Sequence, residues 1–368
     1  METSLLIPNT SPIQVDWSIL TVLLLLTFLV HLWIMNVMLG TGFIALIRHL
    51  RKDDVKSDLS QNIASNLPFT IAFTINFGVA PFLFLQVLYG HLIYTSSILM
   101  AAYWLSVIGI LILAYYSAYI YDFKYDELSE KRIFFIGFTV LALLWIAFVF
   151  TNNMTLMLSP DKWSMYFEDP SGFCLNLKEK TLFPRFFHFV IASIAMGGLS
   201  IALYRQTQKV YFTDDNSDNK EVISRWDEDI QTGLGWFIGA TLVQMVVGVW
   251  YFMSLPESVR GIFMGNHTLG TGVFILVIPL IVVMLICSVR NYVWMTGFLI
   301  IPVSVLMIIM RHLVRSAYLD QYFRVQDLPV SGQYSPFIFF IVALICGISA
   351  IIYMIKLVRL NPVANESN

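Results

Sequence analysis

The feature that most constrains this chain is the recurrence of apolar runs about 20 residues long, nine of them, separated by polar breaks. A helix of that length crosses roughly 30 Å of hydrocarbon and satisfies its own backbone hydrogen bonds on the way. The runs fall at about 17–48, 68–90, 96–121, 133–152, 184–204, 231–253, 269–288, 291–317 and 335–357. With 58% hydrophobic and 12% charged residues, a soluble domain would lack the polar surface to cover itself. The sequence therefore predicts an all-α fold, a polytopic transmembrane helical bundle forming one domain over residues 1–368. The second and third runs are read as joined by a short turn, "YGHLIYTSS", and 205–230 as a solvated Asn/Asp-rich loop. The connection 152–183 is the longest outside the bilayer, with Trp163, Tyr166 and Phe167 expected at the interface. No internal repeat is legible.

Orientation follows the Lys/Arg bias of the connections. One set carries Arg48, Arg51, Lys52 and Lys56, then Lys124, Lys131 and Arg132, then Arg205, Lys209 and Arg225, then Arg290, with Lys356 and Arg359 in the tail. The other set is poorer, although Lys162, Lys178, Lys180, Arg260, Arg311, Arg315 and Arg324 fall in it. The bias predicts the N-terminus outside and the C-terminus in the cytoplasm. The first residues lack the basic stretch of a cleavable signal peptide. A net charge of −2 gives no sign of a nucleic-acid partner. The three cysteines, two in apolar runs and Cys174 in a connection, suggest no disulfide framework.

No Asp or Glu falls inside an apolar run, which argues against a proton relay or cation-coupled transport. Asn36, Asn76, Gln86 and Gln244 are read as hydrogen-bonding between helices. Histidine is the exception. His49 is placed in a basic loop and read as solvated, and His267 as a loop residue near a helix start. His31 lies within the first run, and His91, His188 and His312 lie at or near the outer ends of others. Imidazoles gathered on one side of a helical bundle suit haem iron, and Arg185, Arg311 and Arg315 supply cations for its anionic propionates. His188 is the best placed. It stands three residues from Arg185 at the head of "PRFFHFVIASIAMGGLSIALY", whose small residues would admit a flat macrocycle or another helix.

Three stretches carry a resemblance to a known family. They are "LLLLTFLVHLWIMNVMLG" in the first run, "TINFGVAPFLFLQVLYGHLIYTSS" in the second and "PRFFHFVIASIAMGG" in the fifth. Together they resemble the large subunit of the cytochrome bd quinol oxidase superfamily, which also has nine spans with its N-terminus outside. The resemblance implies His188 as the ligand of a low-spin haem b and His31 as an axial ligand of a second haem. The chain departs from the family in lacking its long quinol-binding loop, its Gly-Arg-Gln-Pro-Trp stretch and its embedded glutamates. Oxygen reduction is therefore not expected.

These observations together lead to an expected function. It is a haem b electron-transfer subunit of a respiratory complex in the bacterial inner membrane, with one or two haems. Haem ligands would come from His188, His31, His312 and His91, and propionate contacts from Arg185, Arg311 and Arg315. Membrane lipid, quinone and an extracytoplasmic multihaem cytochrome c-like protein or other respiratory subunits are the expected partners, with no quinone site assigned. Two other readings stay open: a haem-free anchor or quinone-site subunit, and a permease with helix breaks at Gly78, Pro81, Gly197 and Gly198.

Overall fold

A computed structural model describes residues 3–52, 58–213 and 220–360. Its helices are α1 (Trp17–Arg51), α2 (Leu59–Leu99), α3 (Ala101–Phe123), the short α4 (Tyr125–Leu128), α5 (Arg132–Met157), α6 (Leu182–Thr213), α7 (Lys220–Ser254), the short α8 (Glu257–Gly261), α9 (Thr268–Val289), α10 (Val293–Leu319) and α11 (Ser335–Leu360). Among the described residues nine helices are long and apolar enough to cross a membrane. The protein is an all-α polytopic bundle. Its exposed surface is rich in Phe, Leu, Ile and Val along the helices, as lipid contact requires.

Helix ends differ from the apolar runs because a helix continues past the hydrocarbon wherever its polar residues can still form it. The supposed turn "YGHLIYTSS" is helical. α2 runs through it with one non-helical residue, Tyr89 (φ −130°, ψ 23°), and breaks at Met100. The supposed loop 205–230 is mostly helix, belonging to α6 and α7. Residues 214–219 and Lys56 lie outside the described residues. No helix breaks occur at the permease positions, since α6 passes unbroken through Gly197 and Gly198, and Pro81 sits inside continuous α2.

The chain before α1 and the chain after α10 meet at one face of the bundle. There Ile13 N–H donates to the Pro329 carbonyl at 2.8 Å, and Ser331 N–H to the Ile13 carbonyl at 2.8 Å. The same face holds the α5–α6 connection. Its Trp163 is buried rather than interfacial, with Nε1 donating to the Leu156 carbonyl at 2.9 Å, whereas Tyr166 and Phe167 are exposed. We call this the N-terminal face.

At the opposite face His49 is buried rather than solvated. Its Nε2 lies 2.6 Å from the Tyr121 hydroxyl and its ring packs against Tyr125. The expected interhelical amide bonds are also revised. Asn76 Nδ2 donates within its own helix, to the Ala72 carbonyl at 2.9 Å. Asn36 Oδ1 and Gln244 Oε1 are buried without a hydrogen-bond partner among the described residues.

The structure also reveals an internal repeat. α1 and α6 both start at the N-terminal face, run parallel and pack together. A Cβ on Gly40 would fall on the Ser193 carbonyl oxygen and 2.9 Å from Gly197 Cα, and a Cβ on Gly197 would fall on Gly40. That contact is reciprocal, as at a two-fold axis. Aligning the two glycines superposes His31 on His188, Ile44-Ala45-Leu46 on Ile201-Ala202-Leu203, and Arg48 on Arg205.

The match extends to contacts. Arg48 Nε donates to Ser60 Oγ of α2 at 3.2 Å, and Arg205 Nε to Asp229 Oδ2 of α7 at 2.9 Å. α1 packs on α2 as α6 does on α7, α3 on α5 as α9 on α10, and the cross-contacts α5–α6 and α1–α10 are each other's counterparts. From these matches we infer that two four-helix halves, α1–α2–α3–α5 and α6–α7–α9–α10, are related by a pseudo-two-fold axis along the bundle, with α11 outside the repeat. The small residues after His188 serve helix approach. Gly197 meets Gly40, and Gly198 meets Gly233 of α7.

Candidate ligand site

The glycine contact sets the level of two histidines relative to each other. Each stands nine residues ahead of its contact glycine, about 13 Å at 1.5 Å per residue, so on parallel helices they lie at one level. His188 is six residues into α6, about 9 Å from that helix's start. α1 therefore begins beyond the start of α6. Each ring rests against a glycine of the next long helix. A Cβ on Gly78 would come 2.9 Å from His31 Cε1, and one on Gly248 would come 3.5 Å from His188 Cε1.

The two imidazoles differ in their partners. His31 Nδ1 lies 3.1 Å from the Thr74 carbonyl of α2, an arrangement that puts the proton on Nδ1 and leaves Nε2 with its lone pair. His188 Nδ1 is buried and has no hydrogen-bond partner among the described residues. Its ring sits 6.1 Å from that of Tyr251 on α7, and the Arg185 guanidinium lies 5.5 Å from the centre of the same ring. Arg185 Nε is likewise buried and unpaired.

α10 brings two further arginines to this end of the bundle. Arg311 lies 4.3 Å over the Phe28 ring of α1, and Phe28 packs 6.3 Å from the His31 ring. Arg315 lies 4.5 Å over the buried Tyr89 of α2, at the non-helical residue, with its Nε buried and unpaired. Arg311 is within electrostatic reach of both Arg185 and Arg315. His312 Nδ1 stands 3.2 Å from an Arg315 Nη; the arginine can only donate, so the imidazole accepts.

Of the seven residues expected to form the site, Arg185 and His188 meet at Tyr251, Arg311 and His31 meet at Phe28, and Arg315 joins Tyr89 to His312. The His91 ring packs 4.5 Å from Phe323, which in turn packs 6.0 Å from Tyr89, and His91 Nε2 is buried without a hydrogen-bond partner among the described residues. His267 is the exposed N-cap of α9, accepting from Gly270 N–H at 3.1 Å. Among the described residues no two of these imidazoles are in ring contact, and no group of three His, Cys, Asp or Glu side chains is placed to hold a metal ion. An open groove of about 650 Å³ lies nearby, lined by Glu179, Lys180, Trp250, Met253, Ser254, Leu255 and Pro256.

Tyr251, Tyr89 and Phe28 did not stand out in a sequence with 15% aromatic residues. Their signal is the arginine each one covers, which appears only when helices far apart in sequence are brought together.

The residues fit a haem in chemistry. A buried imidazole with an unpaired nitrogen could bind iron, and guanidinium groups lacking acid partners could take carboxylates. Compared with protein-family models, curated proteins and solved structures, the chain matches none.

Proposed function

We propose that this protein is a haem b electron-transfer subunit of a respiratory complex in the bacterial inner membrane. It would pass electrons between the quinone pool and a multihaem cytochrome c-like partner at the outer face. One observation carries the reading: His188 Nδ1 and Arg185 Nε are buried one turn apart, neither with a hydrogen-bond partner among the described residues. Leaving an imidazole and a guanidinium unsatisfied near the membrane interior costs on the order of a few kcal/mol each.

A haem relieves both. His188 would hold its iron and Arg185 its propionates. The bound group would supply one-electron chemistry. Arg185, Arg311 and Arg315 would anchor its propionates and, by their charge, favour the reduced state. Tyr251 and Gly248 hold the face of the imidazole.

A reduced-minus-oxidised spectrum of the purified chain tests this. A b-type band should be present and should disappear in His188→Ala, while the protein stays monodisperse in detergent. His267→Ala should change little. Full haem content with an unshifted spectrum in His188→Ala would sink the assignment.

A further inference from the structure

The two halves of the duplication differ in charge at the N-terminal face. The register set by Gly40 and Gly197 pairs Arg185 of α6 with Phe28 of α1. A second register relates α5 to α10. A Cβ on Gly137 would meet Leu46 Cδ1 at 3.6 Å, and one on Gly297 would meet Leu203 Cδ2 at 2.9 Å. Leu46 and Leu203 are themselves repeat partners. Counting along these helices pairs Arg311 with Thr151, His312 with Asn152 and Arg315 with Thr155. One half thus carries three cations where the other carries a phenylalanine and two threonines.

In the neutral set both threonine hydroxyls and the Asn152 side-chain oxygen are bonded, and Asn152 Nδ2 is buried without a hydrogen-bond partner among the described residues. Thr151 Oγ1 donates to the Ala147 carbonyl at 2.8 Å, Thr155 Oγ1 to the Asn152 carbonyl at 2.8 Å, and Asn152 Oδ1 accepts from Asn176 N–H at 3.0 Å. In the basic set an Arg315 Nη donates to His312 Nδ1 at 3.2 Å, while Arg185 Nε and Arg315 Nε are buried without a hydrogen-bond partner among the described residues. Among the described residues Arg185, Arg311 and Arg315 form no ion pair, and Glu179, on the connection leading into α6, is held by Lys162 at 2.6 Å. Aromatic rings cover guanidinium faces at all three. A covered guanidinium keeps its N–H edges for acceptors in its own plane, the geometry that suits carboxylate and phosphate.

We infer that Arg185, Arg311 and Arg315 form a receptor for one ligand bearing anionic oxygens, carboxylate or phosphate, and that the first half of the repeat has no such receptor. The inference rests on the haem reading only for the ligand's identity. On that reading the oxygens are the propionates of a haem on His188; a phospholipid headgroup offers the same chemistry.

The full-length chain, an R311Q/R315Q variant and a T151A/T155A variant are titrated with haemin and, separately, assayed for retained phosphatidylglycerol by native mass spectrometry. R311Q/R315Q should bind haemin at least about tenfold more weakly, since charge-assisted bonds are lost, and T151A/T155A should match the parent. If no protein binds haemin but the parent keeps phosphatidylglycerol and R311Q/R315Q loses it, the receptor stands and the haem reading falls. Equal binding of both probes by parent and R311Q/R315Q overturns the inference. So does an equal loss in T151A/T155A, or a parent that takes neither probe. Thermal unfolding separates a receptor from a packing role. In ligand-stripped protein R311Q/R315Q relieves repulsion between like charges and should unfold no lower than the parent. A lower midpoint there assigns the arginines to packing and overturns the inference.

Discussion

Lys162 and Glu179 tie the connection between α5 and α6 to itself just outside the membrane-spanning segments, and they form a small pH-sensitive unit. The Lys162 ammonium lies 2.6 Å from Glu179 Oε2 and 3.0 Å from Asn176 Oδ1, and Thr181 Oγ1 donates to Glu179 Oε1 at 3.2 Å. Burial alone would push the Glu179 carboxyl up, but the lysine and the threonine outweigh it and hold the group below its ordinary value. A carboxyl depressed on folding adds stability that is full above the unfolded value, about 4.3, and is lost as pH falls through the lower folded value. Glu179→Gln should therefore lower the thermal midpoint near neutral pH and flatten the fall in midpoint on the acid side. If parent and variant lose stability in parallel below that pH, the pair contributes nothing.

Helix packing turns on glycines, and the same substitution should have opposite effects at two of them. At Gly40 a methyl group would collide with the Ser193 carbonyl and Gly197, which are backbone and cannot move aside. Gly40→Ala should cost about 1–3 kcal/mol or more by forcing α1 and α6 apart. At Gly239, within α7, a Cβ would meet nothing within 4 Å, so Gly239→Ala should stabilise by up to about 1 kcal/mol through helix propensity alone. Thermal unfolding of both variants in detergent measures the contrast. A Gly40→Ala protein as stable as the parent would contradict the close crossing.

These elements also show what the sequence disclosed. The nine long helices were legible because hydrocarbon demands about 20 apolar residues each. Their ends were not, because polar segments such as Gln206–Thr213 continue a helix after the membrane's demand has ceased. The repeat was hidden because its matched residues are scattered through helices that are apolar throughout. The reciprocal approach of Gly40 and Gly197 fixes the register of α1 against α6. Among the site residues, His188 with Arg185 was legible as i, i+3 neighbours on one helix. Their aromatic partners come from other helices, and so does the burial of His49 beside Tyr121, 72 residues away.

For the whole molecule, the pseudo-two-fold axis runs along the bundle, so both halves share one orientation and both level histidines lie toward the same face. The described connections at the opposite face carry Arg51, Lys52, Lys124, Lys131, Arg225 and Arg290, against Lys162, Lys178, Lys180, Arg260 and Arg324 at the N-terminal face, and we propose that the opposite face is the cytoplasmic one. On that orientation the arginine receptor and the groove beside it would lie outside, where the proposed extracytoplasmic electron partner could reach them. Single-cysteine labelling tests the orientation once Cys174, Cys287 and Cys346 are replaced. Asp320, on the N-terminal face, and Glu221, at the start of α7, are suitable positions, with side chains 60% and 79% exposed. An impermeant maleimide added to intact cells should label Asp320→Cys and spare Glu221→Cys until the membrane is opened. The reverse pattern would turn the receptor toward the cytoplasm. The two halves would stay aligned, because the axis does not depend on orientation, but the partner would then have to be sought among cytoplasmic proteins.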